Sequence, residues 1–345
     1  MCQRYTFIFM FIAALLSYQW EASGQGREDY LKRENTRLRI ENDSLRNVIR
    51  NYQNTSFSTW DVLSNIDWND EDDELFGSSS VLKNSDGSHA DLMRLIRKAS
   101  PNVASYWNQS IDDQVAVYTG SRRRYLPTIF GRYEKWLPLF SRTFAKYGVP
   151  EELITLCIVE SAVSKKAISP VGAAGVWQIM PATARQYGLR VDEQVDERFD
   201  IVKSTDAAAR ILRDIYKGFG RWDLSVLSYN CGAGRVRQAI IKAQGDPNVW
   251  EIAQYLPRET RLYLPAYLAA RYTLNEKDAL GIGVKKQAAQ PRTSSVMLQQ
   301  DAALSQVAKE LCCSTSLLNE LNPHILCDIV PAGITFYVPQ LKFRK

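Results

Sequence analysis

Only two histidines occur in the 345 residues, and no cysteine pair has zinc-ligand spacing. That scarcity argues against a metal site, so no metal and no cofactor is expected. Long apolar runs are scarce as well. The one long stretch, Phe7–Leu16, is too short to span a bilayer comfortably, which excludes a polytopic membrane protein. Charge of one sign does not dominate: 43 basic and 38 acidic residues leave a net +5, mixed too evenly to argue for nucleic acid. No internal repeat is present. What remains is ordinary globular composition, 45% hydrophobic and 23% charged, in a length that allows two or three domains.

Arg4, the apolar run, and Ala22-Ser23-Gly24 before Gln25 read together as a secretory signal peptide over residues 1–24. The bulk of the chain is then exported, to the periplasm or cell envelope. Membrane association is expected only if the signal sequence stays uncleaved. Cys2 precedes the apolar run and cannot be a lipidated cysteine following a signal. Cys157, Cys231, Cys312, Cys313 and Cys327 would remain, an odd number that leaves at least one unpaired. A bridge from Cys312 or Cys313 to Cys327 is one reading; buried free thiols are the other.

Residues 27–53 carry Leu31, Leu38, Leu45 and Tyr52 at seven-residue spacing, with Asn35, Asn42 and Ile49 four residues after the leucines. This is a short heptad pattern, read either as a coiled coil that would pair two copies of the chain or as a lone solvated helix. Residues 54–90 read as a linker: positions 61–76 hold seven acidic residues and no basic ones, and Gly77-Ser78-Ser79-Ser80 follows. From about Asp91 to Tyr147 the pattern turns helical and aromatic-rich, with Leu92, Leu95 and Ile96 and later Trp136, Leu137 and Phe140 at helical spacing, and a helical domain is expected over 91–280. A second linker is expected at 281–295 and a small separate module at 296–341.

The chemistry concentrates after Val149. Pro150-Glu151-Glu152 suits a first helical turn. Leu153, Ile154, Leu156, Cys157, Ile158 and Val159 then leave almost no polar face, so this helix is expected to be buried. It ends at Glu160-Ser161. Burial and the negative end of the helix dipole both disfavour the charged carboxylate, which should raise the pKa of Glu160. A carboxylic acid still protonated near neutral pH is what general-acid cleavage of a glycosidic bond requires. The alternative is a helix-end glutamate that simply reaches water. Next comes a tight loop of small residues, Ser169-Pro170-Val171-Gly172-Ala173-Ala174-Gly175, whose glycines would let backbone approach a ligand. Val176-Trp177-Gln178-Ile179-Met180 leads into Pro181, which starts a helix that Gly188 ends.

Glu160-Ser161-Ala162 and the segment Ser169–Pro181 resemble the signature of the soluble-lytic-transglycosylase (goose-type lysozyme-like) family. Ser228-Tyr229-Asn230 with Gly232 resembles its second motif, and Leu256-Pro257-Arg258-Glu259-Thr260-Arg261 with Tyr263 and Pro265 its third. The resemblance spans about residues 100–280. It implies a mainly α fold: a lysozyme-like catalytic domain with a small β element. It further implies that the chain cuts peptidoglycan glycan strands between N-acetylmuramic acid and N-acetylglucosamine without water. Glu160 would be the sole acid and base, leaving a 1,6-anhydro ring. Ser161, Ser169, Gly175, Gln178, Met180, Tyr229, Asn230 and Tyr263 would bind substrate or flank the acid. A plainer reading makes Tyr229 and Tyr263 core aromatics and Asn230 a turn residue.

Glu259 is the tempting second carboxylate, but a position near a helix start also suits capping or an arginine pair. Asp192, Asp196 and Asp200 read as surface or caps. Cys231 departs from the family's small residue beside Asn230, and family geometry would allow it to pair with Cys157. Residues 297–341 resemble a LysM module, a βααβ fold binding N-acetylglucosamine-containing glycans. Its usual Gly-Asp-Thr start is replaced here by Gln299-Gln300-Asp301. Such a module would act as a tether that raises local substrate concentration. Two other functions stay open: a hydrolytic goose-type lysozyme using a second carboxylate, and a non-catalytic peptidoglycan scaffold.

Overall fold

The structure is a computed structural model that describes residues 89–103, 106–245, 248–288 and 291–340. All of these lie in the unit Phe57–Lys345. The expected signal peptide 1–24, the heptad segment 27–53 and all but the last two residues of 54–90 fall outside the described residues. Among those described, no helix is long and apolar enough to cross a membrane.

The architecture is mainly helical. In chain order the helices are α1 (His89–Ala99), α2 (Gln109–Thr119), α3 (Leu126–Lys146), α4 (Leu156–Ser161), α5 (Pro181–Gln186), α6 (Ile201–Phe219), α7 (Trp222–Cys231), α8 (Ala233–Lys242), α9 (Val249–Ala253) and α10 (Arg258–Asn275). Local chemistry sets their ends. Asn108 caps α2 by accepting from the Ser110 amide at 2.9 Å, and Asp200 caps α6 from Val202 and Lys203 at 2.9 and 3.1 Å. Gly220 closes α6 in the left-handed conformation. Helix α10 is the hub. It packs against α1, α2, α4 and α7 and buries Tyr263, Leu264, Tyr267 and Leu268.

Helix α6 turns Ala207, Ala208 and Ala209 inward, and these small side chains let neighbouring backbones approach. Trp177 is fully buried between Phe140 and Phe144, each with its ring centroid at 5.2 Å, and its indole N–H donates to Thr205 Oγ1 at 2.9 Å. A buried indole needs such a partner. The β content of this part is limited to isolated bridges, Ile168 with Ala174, Ala174 with Ile179, and Val191 with Asp196.

The C-terminal part has four short strands and two helices: β1 (Thr293–Met297), β2 (Ala302–Ala303), α11 (Leu304–Glu310), α12 (Thr315–Leu321), β3 (Ile329–Val330) and β4 (Thr335–Pro339). Strand β1 pairs antiparallel with β4, Val296 opposite Phe336, and β2 pairs antiparallel with β3. Ser314 caps α12 by accepting from the Leu317 amide. The core holds Leu304, Leu318, Val330 and Phe336, and it includes Val195 from the helical part.

The 281–295 stretch is not free chain. Ile282 is buried, the Lys285 amide donates to Pro127 O at 2.9 Å, and β1 already begins at Thr293. Apolar Ile282 and Val284 pack on the helical core, which glycine and proline content alone could not reveal. All five described cysteines are free, and Cys157 is buried. Neither disulfide considered from the sequence is formed.

Candidate active site

The buried run begins as a 3-10 turn, Glu151–Thr155, and becomes α-helical only at Leu156. Glu160 therefore stands on the last turn of a six-residue helix. The helix stops in an unusual way. Ala162 and Val163 both take left-handed φ, 49° and 60°. That conformation costs about 1 kcal/mol or more per non-glycine residue and is worst for a β-branched one. Two hydrogen bonds hold it, from Ala162 N to Ile158 O and from Val163 N to Cys157 O, both 3.1 Å. The chain is turned away directly behind Glu160, as a helix that must present its final carboxylate requires.

The Ala167–Ile179 loop is built against this helix end. Ser161 is fully buried, and its hydroxyl donates to Val176 O at 2.8 Å. It braces helix to loop. Gly175 is also buried, at φ 78°, and a Cβ there would lie 2.0 Å from Arg198 O. Only glycine fits. Ser169 Oγ accepts from the Ala173 amide at 2.9 Å, folding the loop on itself. The Gln178 amide nitrogen donates to Gly175 O at 2.8 Å and Ala167 O at 3.2 Å, while its Oε1 is buried without a partner. Met180 is exposed at the start of α5, beside this loop.

Distant helices complete the site. Tyr263, on α10, donates its hydroxyl to Glu160 Oε1. Tyr229, on α7, donates instead to Trp177 O at 2.8 Å, which fixes the loop from the other side. Asn230 Oδ1 accepts from Thr260 Oγ1 at 2.7 Å and Asn230 hydrogen-bonds Glu259, so α7 and the first turn of α10 are tied together. Glu259 has no arginine partner among the described ion pairs, contrary to one of the two roles expected for it.

Glu160 keeps part of its surface exposed, yet its carboxyl group sits deep. Desolvation pushes its pKa up to about 8, the Tyr263 hydrogen bond works in the opposite sense, and the Glu259 charge raises it further. Burial likewise raises Glu259, which the Asn230 hydrogen bond partly offsets. At neutral pH Glu160 is thus a neutral acid held by a phenol. With Oε1 accepting from Tyr263, Oε2 is the oxygen left to carry the acidic proton.

Residues 138–251 match the family model described as the transglycosylase SLT domain. Over that stretch the chain is similar to an SLT domain. The match runs from within α3 to α9 and so takes in Glu160, the loop, Tyr229 and Asn230; Glu259, Thr260 and Tyr263 lie beyond it. The chain is 35% identical over 235 residues to the membrane-bound lytic murein transglycosylase D of Escherichia coli K12, covering 67% of this chain and 51% of that protein. It is 29% identical over 153 residues to the soluble lytic murein transglycosylase of the same strain, covering 41% of this chain and 24% of that protein. The chain thus spans about half the length, or less, of these curated relatives. Among solved structures, the 70 kDa soluble lytic transglycosylase of Escherichia coli is similar at 22% identity, covering 56% of this chain and 31% of that one, with a TM-score of 0.36.

Sequence reasoning missed two groups at this site. Thr260 gives no local signal beyond a helix start. Arg198 donates through Nη1 to Gly172 O at 2.5 Å and Ile179 O at 3.0 Å, bracing both ends of the loop, and pairs with Asp196 at 2.6 Å. Both members of that pair are buried, so Asp196 is neither surface nor cap. Asp200 does cap α6, and Asp192 accepts from the Gln194 and Val195 amides. Alternating acidic and basic residues in a polar connection look solvated until their partners are known.

Proposed function

We propose that this chain is a peptidoglycan lytic transglycosylase, a lyase that cuts the bond between N-acetylmuramic acid and N-acetylglucosamine without water. The observation that carries the reading is a single carboxyl group, Glu160, kept protonated at neutral pH and hydrogen-bonded by Tyr263. Glu160 donates its proton to the glycosidic oxygen as the bond to C1 breaks. The 6-hydroxyl of the same muramic acid then attacks C1, and Glu160 takes that hydroxyl's proton and is restored. Proton count and charge balance. Because the nucleophile belongs to the substrate, proximity is supplied without a positioned water. A second carboxylate, which ordinary glycosidases need, has no required task.

Gln178, Met180 and the loop backbone offer the saccharide surface, Asn230 a polar contact, and Ser169 and Gly175 shape the loop. Residues 91–280 form the catalytic domain in this reading, and residues 296–341 a LysM-like glycan-binding module. The chain acts after export, on the cell-envelope side. Pairing through residues 27–53 would make it a dimer.

One observation favours a second reading. Glu259 is close enough for its charge to act on Glu160, and a hydrolytic lysozyme would use such a group to activate water. Mass spectrometry of digested sacculi separates the two. Anhydro ends are expected; products heavier by one water would establish hydrolysis instead. Glu160→Gln keeps size and removes the titrating proton, so cleavage should fall by about 10²–10⁴-fold or more while glycan binding persists. Retained cleavage in that variant would remove Glu160 from the chemistry.

A further inference from the structure

The C-terminal part does not hang from the SLT domain; it is docked on the segment that braces the site loop. Val195 is fully buried in the C-terminal core, among Leu304, Leu318 and Phe336. Around it the two backbones pair. Val195 bridges Ile325, the Asp196 amide donates to His324 O at 2.9 Å, and the Leu326 amide donates to Gln194 O at 2.9 Å. Tyr337 donates its hydroxyl to the Asp200 carboxylate, 3.1 and 2.9 Å from the two oxygens. Asn322, fully buried, fixes Tyr337 through both its amide and its carbonyl, at 2.6 and 2.8 Å.

The other side of the same short segment faces the site. Asp196, whose amide is held by His324, grips Arg198 with its carboxylate. Arg198 reaches the carbonyls of Gly172 and Ile179, and its own carbonyl packs on Gly175. Gln178 in turn donates to Gly175 O at 2.8 Å. Seven consecutive residues, 194–200, thus have the C-terminal core on one side and the site loop on the other. The segment is a buried run of turns, held within itself by the Phe199 amide on Asp196 O at 3.1 Å and the Asp200 amide on Glu197 O at 3.2 Å, and wedged between the two. What covers it determines where its arginine stands.

We propose that the C-terminal module is a positioning element of the saccharide surface, acting through Asp196 and Arg198 on the Gly172–Ile179 loop. This rests on the transglycosylase reading and adds to it. A tether and a positioning element differ in one measurable way. A tether helps only substrates long enough to occupy both parts at once. A positioning element helps every substrate, including one that fits the site alone.

The test uses the full chain with two substrates, intact sacculi and a soluble four-sugar glycan fragment. Two variants are compared with the parent: Val195→Asp/Tyr337→Phe, which undocks the module, and Arg198→Lys, which keeps the charge but loses the planar fork. Undocking is read by faster hydrogen exchange at the Leu326 amide. Both variants are expected to raise KM for the four-sugar fragment by about tenfold, with kcat within about twofold and the alkaline limb of the pH profile unmoved. That split follows because Glu160 and Tyr263 are not touched, and general loss of structure would not produce it. An unchanged KM for the fragment in either variant overturns the proposal; a loss confined to sacculi would make the module a tether. Should the undocked variant fail to fold, Arg198→Lys decides alone. If the parent yields no anhydro ends, the transglycosylase reading fails, and calorimetric Kd values of the fragment for parent and variants still decide the positioning role.

Discussion

At the scale of single residues, the site is an exercise in setting one pKa. Burial raises Glu160 to about 8, and two neighbours adjust it in opposite directions. In the proposed reaction the acid form is the working form, so activity should be full below that pKa and fall as pH rises through it. Tyr263 stabilises the charged carboxylate. Tyr263→Phe should therefore move the alkaline limb of the pH–rate profile upward, while costing rate because the acid is no longer aimed. Glu259 destabilises that charge, so Glu259→Gln should move the limb downward and leave the anhydro product unchanged. Limbs that shift together, or in the reverse order, would mean that another group sets the profile. The direction of Glu160's shift was legible from an apolar run ending in glutamate. Tyr263 and Glu259 were named from the motif resemblance, but their action on that pKa was not legible, since they lie about a hundred positions further along the chain.

At the scale of elements, the loop after α4 is defined by close approach. Pro181 starting α5 and Gly188 following it were readable from local chemistry, as was a helix start at Pro257. The tight part of the loop was recognisable from its small residues. The reason for Gly175 was not, because the atom it must accommodate is the carbonyl of Arg198. Gly175→Ala combines a left-handed backbone with a contact that no real Cβ tolerates. It should destabilise by about 2–4 kcal/mol, read as a lower denaturant midpoint with unchanged slope. A midpoint within error of the parent would show that the loop yields easily. Ser161 teaches the converse lesson. Beside a glutamate proposed as the acid a hydroxyl invites a substrate contact, yet Ser161 is fully buried and braces helix to loop.

At the scale of the whole molecule, two hydrophobic cores are joined by packing as well as by chain. The segment read as a second linker lies along α3, where Gly131 leaves room for it. A Cβ at Gly131 would lie 1.8 Å from Lys285 O. Gly131→Ala should therefore lift the 282–288 strap, seen as faster hydrogen exchange at the Lys285 amide, with the anhydro product still formed. Unchanged exchange there would mean that the strap accommodates a methyl group. The strap is fastened to α3 and the helical core, and the Val195 anchor separately ties the C-terminal core to the helical part.

Periodicity over 91–147 together with the motif resemblance pointed to a mainly helical chain. They also indicated that a buried helix delivers Glu160 to its end and that a small-residue loop follows. These depend on residues within a turn or two of each other, and such interactions are written locally. Tertiary structure alone decided that Tyr263 and Glu259 tune the acid, that Asp196 and Arg198 are a buried brace, and that Val195 belongs to the other module's core. Desolvation and charge act through space, so the groups that fix a pKa or a loop are chosen by how distant helices pack.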